Sequence, residues 1–445
     1  MSPAPGARAE LEGIFREALA AVDSGDAVRR VVAGDGRRLA LDGRPVEAGA
    51  RLLLLAAGKA AAEMAAVFEE RAGARIAAGL AITKDGHGVP LERVTLREAS
   101  HPVPDARCES AAREALLLLQ SARPEDVLCV LLSGGASSLL ACPAGELTLE
   151  DLAATTRALL EAGAEIEQLN AVRKHLSAMA GGRLAQRTAA GRVEVLAISD
   201  VPGDRLDVIG SGPFAADPTT YADALAVLAE RSVLERVPAR VRAHLEAGAR
   251  GEIEETPKPG DPALSRVHTT LLATNRDAVE VARNAAQRRG LEVRVVSKPL
   301  AGEAREAGRW LVALARRARA SQPLCLVAGG ETAVTVRGRG RGGRNQELAL
   351  AAALALDGGP ATALLAAGTD GSDGPTDAAG AFADEGTVER GRRAGVDALA
   401  ALDENDSYGF FAAEGGLWVT GPTRTNVMDL ALVRTEPSRY GRPPG

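Results

Sequence analysis

The chain has 445 residues, 46% of them hydrophobic and 25% charged, which is material for two or three globular domains at roughly 100–200 residues each. A net charge of −6 and an aromatic content of 2% argue against a nucleic-acid partner, because nucleic acids are bound by basic surfaces and stacking side chains. The four cysteines form no CxxC pair, and no stretch reaches the ~18 uninterrupted apolar residues of a membrane helix. The N-terminal segment also lacks the apolar core of a secretory signal, so we expect a cytoplasmic protein that binds neither membranes nor nucleic acid.

Short apolar segments alternate with helical patterns along most of the chain. The segments typical of strands are 52–57, 126–132, 193–199, 267–274, 291–297, 325–330, 332–336, 361–371, 416–421 and 429–433. The helical patterns cover 59–70, 148–161, 165–179, 276–289, 302–320 and 344–356. This alternation predicts an α/β fold with a mainly parallel sheet.

One polar stretch interrupts the alternation. Residues 248–266 contain three prolines and show no apolar periodicity, which is typical of a domain boundary or an exposed connection. We therefore predict an N-terminal domain at 1–247, a connection at 248–266 and a C-terminal domain at 267–445.

Two of the predicted strands end in loops suited to an anion. Gly58-Lys59 follows the first strand and opens a helix, where a lysine ammonium can assist backbone N–H groups. Ser133-Gly134-Gly135-Ala136-Ser137-Ser138 follows the second, and paired glycines with serines can form a nest for phosphate. A solvated lysine and an ordinary helix-capping turn are the alternatives. Ligands of open α/β sheets bind beyond the carboxyl ends of strands, which favours a binding role.

Two further strand ends carry carboxylates. Asp200 follows the strand at 193–199, where it could hold magnesium or accept a proton from an attacking hydroxyl. The loop from Gly368 to Asp377 alternates aspartates with glycines but lacks the full spacing of a calcium loop. Aspartates in such positions also cap turns without any ligand.

The segment Arg337–Glu347, RGRGRGGRNQE, combines arginines with glycines ahead of a helix. Guanidinium groups match phosphate and carboxylate oxygens, so the loop indicates a phosphorylated or acidic ligand. Gly338, Gly340 and Gly343 formally satisfy GxGxxG. The acid expected about 20 residues after a dinucleotide-binding motif is missing, which argues against that interpretation.

Six segments together resemble the glycerate 2-kinase family, whose C-terminal part is called MOFRL. They are GKAAAEMA (58–65), SGGASSLL (133–140), LNAVRKHLSAMAGGRLA (169–185), SDVPGDRLDVIGSGPFAADPTT (199–220), GGETAVTVRGRGRGGRNQELALA (329–351) and AAGTDGSDGPTDAAGAF (366–382). The resemblance implies two α/β domains, with a Rossmann-like, mainly parallel sheet in the first, a mixed sheet in the second and the active site in the cleft between them. It also implies transfer of a phosphoryl group from ATP, with Mg²⁺, to the 2-hydroxyl of D-glycerate by a monomer or homodimer.

Site residues follow from the resemblance and the loops together. The family's lysine corresponds to Lys59 and its Gly/Arg-loop arginine to Arg344, and we expect both to be catalytic together with Asp200. The metal ligands are expected to be Asp200 and Asp370, and the substrate ligands Lys174, Asn345 and Glu347. The nucleotide or phosphate ligands are expected to be Ser133, Gly134, Gly135, Ser137, Ser138, Gly371 and Asp373.

The chain departs from the family pattern near its C-terminus. Where the family tends to read TGTNVND, residues 423–429 read TRTNVMD, so Arg424 replaces a glycine and Met428 an asparagine. Two other functions remain open at this point. One is a hydroxypyruvate reductase, a label that relatives have carried, and the other is a sugar-phosphate sensor without catalytic activity.

Overall fold

The structure is a computed structural model that describes residues 5–34 and 38–437. The strands are β1 Val32–Gly34, β2 Leu39–Leu41, β3 Arg44–Val46, β4 Leu52–Ala57, β5 Ile76–Lys84, β6 Thr95–Ala99, β7 Val127–Leu132, β8 Arg192–Ile198, β9 Val267–Ala273, β10 Glu292–Val295, β11 Leu324–Gly330, β12 Thr362–Gly368, β13 Gly380–Asp384, β14 Leu417–Trp418 and β15 Asp429–Thr435. The helices are α1 Pro5–Ala21, α2 Ser24–Val31, α3 Ala61–Ala72, α4 Ala106–Gln120, α5 Ala136–Leu139, α6 Leu149–Glu161, α7 Ile166–His175, α8 Arg183–Arg187, α9 Tyr221–Glu230, α10 Ala239–Ala249, α11 Asn275–Arg288, α12 Ala304–Arg317, α13 Arg344–Leu356, α14 Thr387–Arg393, α15 Ala398–Asp403 and α16 Ser407–Glu414.

The chain divides into two compact units. The parallel-sheet unit spans Ser24–Leu272, and the mixed-sheet unit combines the residues up to Asp23 with those from Ala273 onward. The predicted ranges 1–247 and 267–445 differ from this division because α1 packs against α11, β12 and β15 of the mixed-sheet unit. Leu11, Ile14 and Phe15 of α1 are fully buried. The predicted location of the active site between two domains stays a prediction.

The parallel-sheet unit is built on six strands in the order β6-β5-β4-β7-β8-β9, with β4 parallel to both β5 and β7. All six residues of β4 and of β7 are buried, as expected for central strands covered on both faces. From β4 the chain runs outward to β5 and β6, then returns across β4 to β7 and β8. This order confirms the Rossmann-like sheet and leaves a topological switch point between β4 and β7, the usual ligand-binding position.

The mixed-sheet unit also has six strands, in the order β10-β11-β15-β12-β13-β14. Strands β10 and β11 are parallel, whereas β15 runs antiparallel to both of its neighbours, β11 and β12. The prediction of a mixed sheet in the second half is confirmed.

Several helices begin where the sequence carries a Thr-x-x-Asp pattern. The threonine hydroxyl accepts the backbone N–H of the aspartate, and the aspartate carboxylate accepts that of the threonine, which satisfies two N–H groups at the helix start. Such capping boxes begin α6 at Thr148, α9 at Thr220 and α11 at Thr274.

Two element predictions are wrong. The segment 332–336 does not form a strand, and its only ladder contact among the described residues is a bridge between Glu303 and Ala333. Val336 is 72% exposed, so the segment lacks the buried face that would hold it in a sheet. The helix predicted at 165–179 ends at His175, and Ser177 beyond it forms a bridge with Pro143. None of the helices in the described parts of the chain has the length and apolarity to cross a membrane.

Candidate active site

The loops after β4 and β7 are bonded to each other at the switch point. The backbone N–H of Lys59 donates to the carbonyl of Gly134 at 2.8 Å, and the N–H of Ala60 donates to Ser133 Oγ at 3.0 Å. The Thr83 hydroxyl, near the end of β5, donates to the carbonyl of Gly58 at 3.0 Å. These bonds fix the backbone from which the Lys59 side chain projects.

Glycines make this close approach possible. A Cβ at Gly58, where φ is 128°, would lie 2.2 Å from Ser133 Oγ and 2.4 Å from the Ser133 carbonyl oxygen. A Cβ at Gly135, where φ is 87°, would lie 2.9 Å from the ring of His101 and 3.4 Å from Lys59 Cγ. Lys59, His101 and Gly135 are therefore neighbours. His101 is a site candidate that sequence reasoning missed, although it follows the end of β6.

The rest of the serine loop contacts two other loops. Ser137 Oγ lies 2.7 Å from Ser211 Oγ, and the Ser138 hydroxyl donates to the carbonyl of Pro102 at 2.9 Å. The loop predicted to bind phosphate thus lies against the segments that carry Pro102 and Ser211. Asp200 is half-buried just beyond β8, the neighbour of β7 in the sheet.

Lys174, predicted to contact substrate, lies in the interior of the parallel-sheet unit. Its Nζ is 3.2 Å from Asp207 Oδ2 and 3.3 Å from Asp217 Oδ1, and only 3% of the side chain is exposed. Burial raises the pKa of Asp207, but its bonds to Arg205 and Lys174 outweigh burial and lower it. The Lys174 ammonium is therefore used within the fold, where it holds the segment around Asp207 and Asp217.

In the mixed-sheet unit, Arg344 is held between two carboxylates. Its Nε and Nη2 bond to the two oxygens of Asp429 at 2.5 and 2.8 Å, and Nη1 lies 2.7 Å from Glu331 Oε1. Burial disfavours the charged guanidinium, but Asp429 outweighs burial and the pKa of Arg344 is raised. These contacts use three of the five guanidinium N–H donors, and 28% of the side chain is exposed.

Asp370 lies next to this ion pair. A Cβ placed at Gly368 would be 3.2 Å from Asp370 Oδ1 and 3.3 Å from Asp429 Oδ1, so the two carboxylates flank the same glycine. Asp370 Oδ1 also accepts the backbone N–H of Ser372 at 3.0 Å. The ends of β12 and β15 thus bring Arg344, Asp370 and Asp429 together. Sequence reasoning did not select Asp429.

Asp373, predicted to bind nucleotide, caps α13. Its carboxylate accepts the backbone N–H groups of Asn345 and Gln346 at 3.1 and 2.8 Å. The residue is only 1% exposed. Burial raises its pKa to about 6 against the opposing effect of these bonds. A carboxylate at a helix N-terminus is stabilised by the same N–H groups that would bind a phosphate, which is why the sequence pattern was ambiguous.

Two predicted substrate ligands are likewise occupied within the fold. The Asn345 amide bonds to Asp373 at 3.3 Å, and the carboxylate of Glu347 bonds to Arg305 at 2.9 Å and to Asn405 at 2.8 Å. Asn345 and Glu347 are 1% and 2% exposed. Both side chains lie on the first turn of α13, but they face the interior and position the helix that carries Arg344.

The glycines of the Gly/Arg loop serve protein packing. A Cβ at Gly338 would lie 2.3 Å from the Glu404 carbonyl oxygen, and one at Gly340 would lie 2.4 Å from Asp406 Cβ. A Cβ at Gly343 would meet Asp373 at 2.3 Å. These are the three glycines of the GxGxxG match, so their spacing is explained by contact with neighbouring segments of the chain.

The loop that carries the family departures folds over the end of β12. A Cβ at Gly371, a predicted phosphate ligand, would lie 2.1 Å from the Gly421 carbonyl oxygen, and the N–H of Thr369 donates to the carbonyl of Met428 at 3.0 Å. Arg424 and Met428 have φ of 61° and 66°. This left-handed region is the one that glycine and asparagine adopt most readily, which explains the residues in the family pattern.

Comparison with known proteins supports the resemblance over most of the chain. A family model described as a domain of unknown function (DUF4147) matches residues 10–246, and the MOFRL family model matches residues 324–429. The chain is 42% identical to a glycerate 2-kinase of Pyrococcus horikoshii, with 94% of each protein aligned. It is also 41% identical to a putative hydroxypyruvate reductase of Agrobacterium vitis, over 91% of each.

A solved structure agrees in fold. The crystal structure of glycerate kinase from Thermotoga maritima superposes with a TM-score of 0.82 at 38% identity, covering 97% of this chain and 100% of that one. With sequence, domain models and fold in agreement, the chain belongs to the glycerate 2-kinase family.

Proposed function

We propose that the protein transfers the γ-phosphoryl group of ATP to the 2-hydroxyl of D-glycerate, giving 2-phosphoglycerate and ADP. The observation that carries the proposal is the bonded pair of loops at the switch point, which holds Lys59 beside the Ser133–Gly135 backbone. A cation next to backbone N–H groups and serine hydroxyls suits phosphoryl transfer, because this reaction depends on positioning and charge neutralisation. Glycerate is proposed as the phosphoryl acceptor because the relatives are described as a glycerate 2-kinase and a glycerate kinase.

In the proposed reaction, the 2-hydroxyl oxygen attacks the γ-phosphorus. A new P–O bond forms, the bond from the γ-phosphorus to its bridging oxygen breaks, and the hydroxyl proton passes to a base. Asp200 is our choice of base, because its carboxylate lies half-buried at the end of β8. Lys59 then neutralises charge that develops on the transferring group, and Gly134, Gly135, Ser137 and Ser138 bind the nucleotide phosphates. Ser133, which is fully buried and accepts the Ala60 N–H, holds the loop in place.

Arg344 is proposed to bind the glycerate carboxylate or the transferred phosphoryl group through its remaining N–H donors. Asp429 and Glu331 orient the guanidinium, which reduces the freedom it loses on binding. Lys174, Asn345, Glu347 and Asp373 are assigned a supporting role, because their polar groups are bonded inside the fold.

Magnesium is proposed to accompany ATP. Among the described residues, no group of three or more histidine, cysteine, aspartate or glutamate side chains is arranged to hold a metal. Mg²⁺ bound to a nucleotide needs only one or two protein carboxylates beside phosphate oxygens and water, so the strand-end carboxylates Asp200 and Asp370 suit it. The ion would neutralise phosphate charge when bound.

Hydroxypyruvate reduction is the competing function, because two relatives carry that description. A reductase would need a dinucleotide site, and the GxGxxG glycines are instead explained by packing against Glu404, Asp406 and Asp373. The GxGxxG match therefore gives no support to a reductase, and the kinase is the function we propose.

The decisive assay incubates the protein with ATP, Mg²⁺ and D-glycerate and couples it to enolase without a mutase. Enolase accepts 2-phosphoglycerate and not its 3-isomer, so formation of phosphoenolpyruvate establishes both the kinase activity and the position. Lys59→Ala and Arg344→Ala should each lower kcat/KM at least ~100-fold, or about 2.7 kcal/mol. Lys298→Ala, an exposed lysine outside the loops, is the control.

Each other outcome has a definite meaning. ADP release without phosphoenolpyruvate would contradict phosphorylation at the 2-position. NADH oxidation with hydroxypyruvate, and no ADP release with glycerate, would favour the reductase. A folded and fully active Lys59→Ala protein would remove Lys59 from the mechanism.

A further inference from the structure

A cavity of about 410 Å³ lies within the parallel-sheet unit, beside the switch-point loops. Its walls come from α6, from the end of α7 and the segment after it, and from the loops that carry Pro102, Ser137 and Ser211. The volume is within the ~300–1,000 Å³ of pockets that enclose drug-sized ligands.

The lining is apolar on one side and carries hydroxyls on the other. Leu149, Leu152 and Leu160 of α6 contribute apolar surface, whereas Ser137 and Ser211 contribute hydroxyl groups. Leu160 is 58% exposed, an unusual position for a large apolar side chain at a cavity wall. A ligand with an apolar, planar part and a polar part would cover this surface.

Two arginines are the only charged residues among the described residues of the lining. Arg157 lies on α6 and Arg173 on α7, and neither forms an ion pair with a carboxylate in the described parts of the chain. Arg173 Nε donates only a long bond, 3.4 Å, to Thr156 Oγ1. Both Arg157 and Arg173 are exposed where they line the cavity. A guanidinium at a cavity wall without a carboxylate partner suits an anionic ligand.

The cavity adjoins the proposed phosphoryl-transfer site. Ser137 and Ser138 belong both to its wall and to the loop after β7, whose Gly135 contacts Lys59. A ligand seated in the cavity can therefore extend its polar end along this loop towards Lys59.

Glycerate does not match the cavity. It is a three-carbon acid with an oxygen on every carbon, so it would leave both the volume and the leucine surface unfilled. A nucleoside triphosphate has a planar base, a ribose and a chain of phosphates, and guanidinium groups both stack on planar rings and bind phosphate oxygens. The low aromatic content of the chain makes arginine and leucine the available surfaces for a base.

We propose that this cavity binds the base and ribose of the nucleotide substrate, with Arg157 and Arg173 as its affinity-determining residues. The inference rests on the proposed function and adds the nucleotide-binding pocket to it. The phosphates then lie along the serine loop, and the leucine side of α6 covers the base.

The test fills the cavity from its exposed side. Ala153 lines the cavity but is exposed on α6, so Ala153→Trp adds bulk without disturbing the core. Ala239→Trp, on the exposed start of α10, introduces the same side chain elsewhere in the unit. Arg173→Ala removes one guanidinium, and Arg113→Ala, whose guanidinium pairs with Glu109 on its own helix, is the matched control.

Binding of the non-hydrolysable analogue AMP-PNP with Mg²⁺ is measured by calorimetry, alongside the melting temperature of each variant. We expect Ala153→Trp and Arg173→Ala to weaken AMP-PNP at least tenfold, while both controls keep the affinity and all four keep the melting temperature. In the kinase assay, the same two variants should raise the KM for ATP at least tenfold and leave the KM for glycerate within about twofold.

Equal AMP-PNP affinity in all variants would overturn the proposal, as would a rise in the KM for glycerate alone. These results would leave the proposed function intact, since the enolase-coupled assay of the unmodified protein tests that separately. If the unmodified protein binds AMP-PNP through this cavity but does not phosphorylate glycerate, the pocket stands and the proposed acceptor fails.

Discussion

A single added methyl group can test whether the contact between the loops after β4 and β7 positions the reacting groups. In Gly58→Ala, the new Cβ would meet Ser133 Oγ at 2.2 Å and the Ser133 carbonyl oxygen at 2.4 Å. To reach an ordinary contact of 3.4 Å, the two loops must separate by about 1 Å. A displacement of that size at a reacting centre can lower the rate about 100-fold, and alanine at this φ adds roughly 1–3 kcal/mol of backbone strain.

Gly86→Ala is the matched control. Gly86 also has a positive φ, of 76°, but a Cβ there would meet no atom within 4 Å. The assay measures kcat and KM in the enolase-coupled reaction and the melting temperature of both variants. We expect both to lose stability and only Gly58→Ala to lose activity about 100-fold. If the kcat of Gly58→Ala stays within about threefold of that of Gly86→Ala, the loop contact does not position the reaction.

Asp429→Asn should lower kcat/KM for glycerate by at least about tenfold, because an amide cannot hold the Arg344 guanidinium through two charged bonds. An unchanged kcat/KM together with an unchanged pH–rate profile would contradict this prediction. Arg424→Gly should raise the free energy of unfolding by about 0.5–1 kcal/mol in thermal melts, because the φ of 61° strains an arginine, and a lower melting temperature would contradict the argument. Burial opposes ionisation of Glu255, but the bond to His175 outweighs burial and lowers the pKa of this carboxyl from 4.5 to about 2. The ionised carboxylate therefore stabilises the fold above pH 4.5, and this stabilisation is lost as the pH falls towards 2. Glu255→Gln should therefore flatten the decline of melting temperature between pH 4.5 and 2, and identical declines would refute the role of this pair.

The sequence predicted the parts of the fold that depend on local pattern. Uniformly apolar segments became the central strands β4 and β7, because a strand buried on both faces has no polar positions. The same logic located Lys59 and Ser133 at strand ends. Their bonding across the switch point could not be predicted, because it depends on the order of strands within the sheet.

Several predicted ligands are bonded within the fold, and the sequence could not show this for a common physical reason. Asp373, Asn345 and Glu347 have the residue types of ligands, but Asp373 bonds to the first turn of α13, including Asn345, and Glu347 bonds to Arg305 and Asn405. Lys174 was ambiguous for a similar reason, since its carboxylate partners lie 33 and 43 residues away in the chain. Conversely, Asp429 and His101 carry no local signal, because each enters the site only through its neighbours in the folded sheet.

The strand β15 has a consequence for how the protein is made. It lies in the middle of the mixed sheet, although it is the last strand described, and α1 of the same unit is the first helix. The ribosome adds 408 residues from Val22 to Asp429, which at roughly 5–20 residues per second takes roughly 20–80 s. During this time the parallel-sheet unit emerges complete, while Leu11, Ile14 and Phe15 of α1 have no sheet to cover them. The chain order thus lets the parallel-sheet unit form before the mixed sheet is complete, and the apolar face of α1 stays uncovered until β15 has been synthesised.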